Sequence, residues 1–196
     1  PVVTATPNPD AICSGATTSI VLTSSVVGTT YSWIATDNPD VTGESLTAQT
    51  STTIANTLVN TSLVPQVVTY TVTPTAGGCV GAAEVVLVTV NPTPVISGNT
   101  PICVGATLQL SASGTPNVTT PWTSSSTGVA TVGITGLVTG VSAGSTTITY
   151  TDDIGCQATV VVTVDAAPTI TGNAPICIGS TLQLTGSGTP DGTTPW

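Results

Sequence analysis

Residues 94–122, PVISGNTPICVGATLQLSASGTPNVTTPW, return 74 positions later as residues 168–196, PTITGNAPICIGSTLQLTGSGTPDGTTPW, with 20 of 29 positions identical and no gap. Repetition of this kind constrains the fold more than composition does, because each copy has to be one supersecondary unit that neighbours its own kind. A looser copy lies near the front, where Ile12, Cys13, Gly15 and Thr17 repeat the pattern of Ile102, Cys103, Gly105 and Thr107 and of Ile176, Cys177, Gly179 and Thr181. Trp33 follows Cys13 by 20 residues; Trp122 and Trp196 follow their cysteines by 19. The first two copies close on valine-rich runs, VVLVTVNPTP and VVVTVDAAP, each leading into a short joint containing proline. These features predict three units, at residues 1–92, 93–166 and 167–196, the last of them the truncated front of a longer repeat.

Within a unit the pattern is that of short strands. Val, Ile and Thr dominate, period-two alternation runs through TLQLSAS, STTITYT and ATVVVTV, and Gly, Pro, Asn or Asp punctuates every six to ten residues. Long β-branched runs disfavour helix through lost side-chain freedom. The middle unit parses into seven strand candidates: TPVISG, ATLQLSAS, PWTSSS, VATVGI, GLVTGVS, STTITYT and QATVVVTV. Seven short alternating strands predict an all-β fold, tandem immunoglobulin-like sandwiches of two antiparallel sheets. Trp122 falls on the third strand, and it and Trp33 are expected to anchor cores otherwise built from Val, Ile, Leu and Ala, since Phe is absent.

The charge pattern excludes whole classes of function. Lys, Arg and His are all missing, and nine acids leave a net charge of -9. No side-chain cation is available to neutralise phosphates, so nucleic acid and anionic lipid surfaces are not expected partners. No apolar run reaches the 18 or so residues of a membrane helix, so this region is not expected to insert in a membrane. A chain with no His and no Lys also lacks the general base that would activate a Ser or Thr nucleophile. The carboxylates Asp10, Asp37, Asp40, Glu44, Glu84, Asp152, Asp153, Asp165 and Asp191 sit mostly in turn compositions such as TDNPD and DDIG, and read as turn residues rather than a glycosidase pair. No enzyme and no cofactor are expected. Calcium held by Asp152 and Asp153 is the alternative use of the acids, but no EF-hand or nonapeptide calcium pattern is present and no metal is expected. Asn60-Thr61-Ser62 and Asn117-Val118-Thr119 meet the N-glycosylation pattern, which chance readily produces in so Thr-rich a chain.

The stretch VATVGITGLVTGVSAGSTTITYT, Val129 to Thr151, resembles the signature of bacterial immunoglobulin-like group 2 repeats, with the likeness covering about residues 93–166. The first unit, with ICSGATTSIVLTSS, TTYSWIATDNPDVTG and VVTYTVTPTAGGC, is similar to the PKD-like repeats of large secreted proteins of Bacteroidetes. These resemblances imply immunoglobulin-like sandwiches, a spacer or adhesive role and, for proteins of that kind, export by a type IX route. They carry no catalytic motif to transfer. The expectation is a stalk or fibre region of a large secreted or cell-surface adhesin-like protein. Its partners would be neighbouring repeats of the same chain and other copies in a fibre. A glycan- or protein-binding module and a non-catalytic appendage of an extracellular hydrolase are the alternatives.

Five cysteines, Cys13, Cys79, Cys103, Cys156 and Cys177, are expected to form structural disulfides. None lies in C-x-x-C spacing, and without His a zinc site would need four thiolates from separate units. Each complete unit has one cysteine ahead of its second strand and one beside a glycine in its last hairpin. The matched pairs favour bridges within units, Cys13 with Cys79 and Cys103 with Cys156, leaving Cys177 to a partner beyond residue 196. Closing loops of 53 to 66 residues would add about 4 kcal/mol to small domains that bury limited apolar surface, and would imply an extracytoplasmic compartment. In an immunoglobulin topology, however, the two cysteines of a unit lie at opposite ends of the sandwich. The within-unit bond therefore requires residues 100–105 to fold back along the start of the last strand; otherwise each unit bridges to the next, as Cys13 with Cys156.

Overall fold

A computed structural model describes residues 1–98, 100–172 and 174–187; Asp191 and Trp196 lie outside the described residues. Among the described residues there is no helix. By contact the chain divides into two compact units. One holds Pro1–Ile96 with Ala112–Pro121 and Tyr150–Ala158; the other holds Ser97–Ser111, Trp122–Thr149 and the chain from Thr159 onward.

The first unit opens with β1 (Thr4–Thr6), β2 (Asp10–Cys13), β3 (Ile20–Thr23) and β4 (Thr30–Thr36), followed by the short β5 (Val41–Thr42), β6 (Thr53–Ile54) and β7 (Val59–Asn60). It continues with the long β8 (Gln66–Ala76), β9 (Cys79–Val80) and β10 (Glu84–Asn91). One sheet runs β1-β3-β6 and the other β2-β10-β8-β4, with β9 folded onto β8. The alternation read from the sequence is the alternation of burial: every second residue of β4, Tyr31, Trp33 and Ala35, is buried, as are Val86, Val88 and Val90 of β10. Those faces meet Ile20, Leu22 and Ile54 from the opposite sheet in a single core. Trp33 packs edge-on against Tyr70, with ring centroids 5.8 Å apart, and donates from Nε1 to the Ser51 carbonyl at 3.1 Å.

The second repeat is built from β11 (Ile96–Ser97), β12 (Ile102–Cys103), β13 (Thr107–Gln109), β14 (Ser111–Ala112), β15 (Trp122–Ser124), β16 (Ala130–Val132), β17 (Leu137–Gly140), β18 (Gly144–Thr151) and β19 (Gln157–Asp165), of which Ile96, Ala112, Tyr150–Thr151 and Gln157–Ala158 belong by contact to the first unit. Its sheets run β12-β19-β18-β15, which repeats the order β2-β10-β8-β4 of the first, and β13-β17-β16, with β11 and β14 forming a separate pair. Leu110, Trp122, Val138, Ile148, Val162 and Val164 form the buried positions. The turn before β17 requires Gly136: its φ is +83°, and a Cβ there would press on the Leu110 carbonyl and the Trp122 ring. β20 (Ile170–Thr171) and β21 (Thr185–Gly186) pair antiparallel in the last copy.

Two details depart from the strand parse. TLQLSAS is not one strand: it breaks at Leu110, so that β13 pairs with β17 and β14 with β11. The Ile-Cys segments are strands in their own right, β2 and β12, each pairing parallel with the far end of the last strand of its repeat.

Candidate functional site

The chemistry of this chain is concentrated in its thiols. Cys13 ends β2 with Asn91 of β10 as its parallel partner, and Cys103 ends β12 opposite Asp165 of β19. After each the backbone makes the same turn. Ala16 N donates to the Cys13 carbonyl and Ala106 N to the Cys103 carbonyl, both at 3.0 Å. Gly15 and Gly105 stand at φ +84° and +82°, a left-handed conformation that only glycine takes at little cost. Ser14 N donates to Asn91 O and Val104 N to Asp165 O, so the turn is tied back to the last strand in both places.

The hairpin thiols lie at the other end. In the first unit Cys13 is level with Asn91, whereas Glu84 at the start of β10 is seven residues away, about 23 Å at the usual strand rise, and Cys79 lies beyond it. Along β19 the nine residues from Cys156 to Asp165 span about 30 Å. A disulfide needs Cα atoms within about 7 Å. The favoured pairings Cys13–Cys79 and Cys103–Cys156 are therefore corrected. The Thr100–Gly105 segment runs along the end of the last strand rather than its start, and the bond that forms is Cys13–Cys156, with Cα atoms 5.5 Å apart and a sequence separation of 143. Cys79, Cys103 and Cys177 are free and exposed, so the structure pairs two of the five expected disulfide cysteines.

Cys156 is held for this bond by its own hairpin. Asp152 is 5% exposed, and its Oδ1 accepts the backbone N–H of Cys156 at 2.7 Å and of Ile154 at 3.2 Å. The backbone closes the same turn, with Asp152 N donating to the Cys156 carbonyl at 3.0 Å and Gly155 N to the Asp152 carbonyl at 3.2 Å. A carboxylate whose oxygen is filled by two N–H donors acts as a turn cap. Cys156 itself is 1% exposed.

Two stretches of the chain match known families. Residues 10–94 match the family of PKD-like domains, and residues 84–164 match the bacterial Ig-like domain (group 2). This chain is a tandem of immunoglobulin-like domains. The two matches overlap on β10, which the hydrogen bonding gives to the PKD-like repeat, since it pairs with β8 and β2. No curated protein matches the chain. Among solved structures, a C-terminal fragment of intimin in complex with the intimin-binding domain of the translocated intimin receptor is similar at 18% identity and a TM-score of 0.52; the match covers 88% of this chain and 66% of that one. Mouse cadherin-23 repeats (16% identity, TM-score 0.30, 89% and 70% covered) are more distant. So is a Bacteroides ovatus mixed-linkage glucan utilization protein with a bound heptasaccharide (18%, 0.31, 84% and 48%). At these identities the likeness to intimin is one of fold.

In these immunoglobulin-like repeats the other residues singled out by sequence fall mostly into structural places. Trp33 and Trp122 are buried, at 4% and 9% exposure, as core anchors. Asn60 of the first glycosylation triplet is a core residue: its Nδ2 donates to Val64 O and Val90 O at 2.8 Å each, and its Oδ1 accepts Ser62 N and Oγ. The nitrogen that a glycan would occupy is thus committed inside the fold, a role foreshadowed only by the serine two residues on, the spacing of an Asx turn. Asn117 of the second triplet caps its own turn through Oδ1 to Thr119 and Thr120.

The acids are dispersed. Asp10 accepts from Ala11 N, and Glu84 accepts from the Asn8 amide at 3.4 Å. Glu44 has its carboxyl raised above the usual carboxylate range, mostly by partial burial, with the Asn38 backbone bond lowering it and the charge of Asp37 raising it. Among the described residues no three His, Cys, Asp or Glu side chains come together to hold a metal ion. A shallow pocket of about 190 Å³ in the first unit is lined by Leu63, Pro65, Pro92, Pro94, Asp153 and Ile154, among others, and is mostly apolar.

Proposed function

We propose that this chain is a structural repeat region, a stalk or fibre, of a large secreted or cell-surface adhesin-like protein. Its repeats would occupy residues 1–92, 93–166 and 167–196, and its contacts would be with neighbouring repeats and other copies in a fibre. The observation that carries the reading is the Cys13–Cys156 bond, which fastens the PKD-like repeat covalently to the repeat that follows it. A bond of that kind persists in oxidising compartments, which supports an extracellular or surface location. Quasi-linear arrays in which each unit answers mainly to its neighbours suit a spacing role, and a net charge of -9 with no side-chain cation opposes indiscriminate association of exposed strand edges. The resemblance to repeats of Bacteroidetes surface proteins adds type IX export to the proposal.

Labelling intact cells with a membrane-impermeant carboxyl reagent tests location, since the chain carries nine acids: the chain is expected among the labelled proteins, and protection until lysis would refute it. A glycan array probed with the two complete repeats tests the spacer role. No saturable binding is expected; saturable binding would replace the spacer with a binding module.

A further inference from the structure

We propose that Cys103 and Cys79 are each one half of the same repeat-to-repeat disulfide seen at Cys13–Cys156. Cys103 bonds the hairpin thiol of an immunoglobulin-like repeat that follows it, and Cys79 bonds the strand-end thiol of a repeat that precedes it. The proposal rests on the repeat-array reading given above. Its first support is the backbone around Cys103, which reproduces that around Cys13 bond for bond. Besides the turn already described, Gly15 N donates to Leu58 O as Gly105 N donates to Gly140 O. Leu58 N donates to Ala16 O as Gly140 N donates to Ala106 O. Cys177 opens the same turn a third time, with Ser180 N on its carbonyl at 3.0 Å and Gly179 at φ +84°.

The second support is the bond already formed, which joins a strand-end cysteine of one repeat to the hairpin cysteine of the next. The third is the length of the last strand, which in each of the two complete repeats keeps the two cysteines too far apart to satisfy each other. Cys103 and Cys79 are also exposed, so both thiols can be reached. Cys79 lies at the end of its sandwich where the chain enters, since a Cβ on nearby Gly81 would run into the Pro1 carbonyl.

Forming each bond breaks two S–H bonds and makes one S–S bond. The two electrons and two protons pass to an exported oxidant of the thiol–disulfide exchange class, whose own disulfide becomes a dithiol.

The test uses the intact protein as its own cells make it, denatured without reductant and alkylated before and after reduction. Cys103 and Cys79 should show loss of labelling before reduction. Digestion with a protease other than trypsin should give the ICVG peptide of Cys103 joined to a Gly-Cys hairpin peptide. A partner in the same polypeptide leaves the non-reduced protein at monomer mass, whereas a partner in another copy gives multimers; either supports the bond. Free thiols at both positions, or Cys103 joined to another strand-end cysteine, would overturn it while leaving a surface-labelled array standing. In a Cys103→Ser protein the hairpin thiol of the following repeat should become labelled with Cys13–Cys156 intact; the absence of any new thiol would also overturn the proposal.

Discussion

The last hairpins of the two complete repeats carry the same Gly-Cys pair and hold it differently. In the first repeat Ala76 and Cys79 face each other across Gly77 and Gly78, both at positive φ, a two-residue turn of the primed kind that leaves the thiol on an exposed ladder position. In the second repeat Asp152 caps the turn with its carboxylate, and Cys156 is buried and bonded. Measured from the strand end, Cys156 stands nine residues before Asp165, whereas Cys79 stands twelve before Asn91. The Gly-Cys pair therefore fixes only that a thiol sits at the hairpin. The residues ahead of the glycine decide whether it is held in place or presented.

The strongest way to break this contrast is to remove the bond. Cys13→Ser, or reduction of the native protein, is expected to lower the stability of the coupled transition in denaturant by about 3–5 kcal/mol, since the closed loop is long. Asp152→Ala comes next. It leaves the buried N–H of Cys156 without its carboxylate acceptor, while the N–H of the exposed Ile154 can turn to water, and should cost about 1–3 kcal/mol, with a fall in the oxidised fraction of Cys156 on thiol quantification. Asp152→Asn, which keeps an acceptor oxygen, should cost less.

Tyr70→Phe sharpens the comparison within the first core by deleting the hydroxyl that donates to Asn56 Oδ1 at 2.9 Å, at a cost of about 1 kcal/mol in denaturant titration. The same phenol gives a pH signature. Burial foremost, then the negative charge of Glu44, raise its pKa, so the native state holds the proton more tightly than the unfolded chain does. Its contribution is complete below the unfolded value near 10 and is lost as the pH climbs above it. Wild type should therefore weaken on going from pH 8 to pH 11 by more than Tyr70→Phe does. The smallest effect is expected for Cys103→Ser in the isolated chain, under about 0.5 kcal/mol, because that thiol is exposed and unbonded there. A large loss would show that the Cys103 turn depends on its sulfur.

The fold was legible in the sequence because burial follows period two: TYSWIAT and EVVLVTV carry their core residues at alternate positions, and the fold uses them that way. The tryptophans were legible as anchors in a chain almost without other large side chains. The Ile-Cys strands were missed because four paired residues in β2 and two in β12 are too few to show a period; the buried Ile102 and the half-buried Ile12 are the local sign of them. Disulfide connectivity was half legible. Topology already separated the ends of each sandwich, but matched counts of cysteine argued for pairing within a repeat, and no local pattern states which repeat supplies the partner. The core role of Asn60 was not legible, because a glycosylation triplet and a core Asx turn share the same three letters.

One consequence of the Cys13–Cys156 bond concerns mechanical load. A pull applied at the two ends of this chain enters at Cys13 and leaves at Cys156 across a Cα separation of 5.5 Å, so Ser14 to Gly155 carry no tension even if their strands separate. At about 3.4 Å per residue, roughly 480 Å of contour is locked away, and a reductant, not force alone, is the key that pays it out.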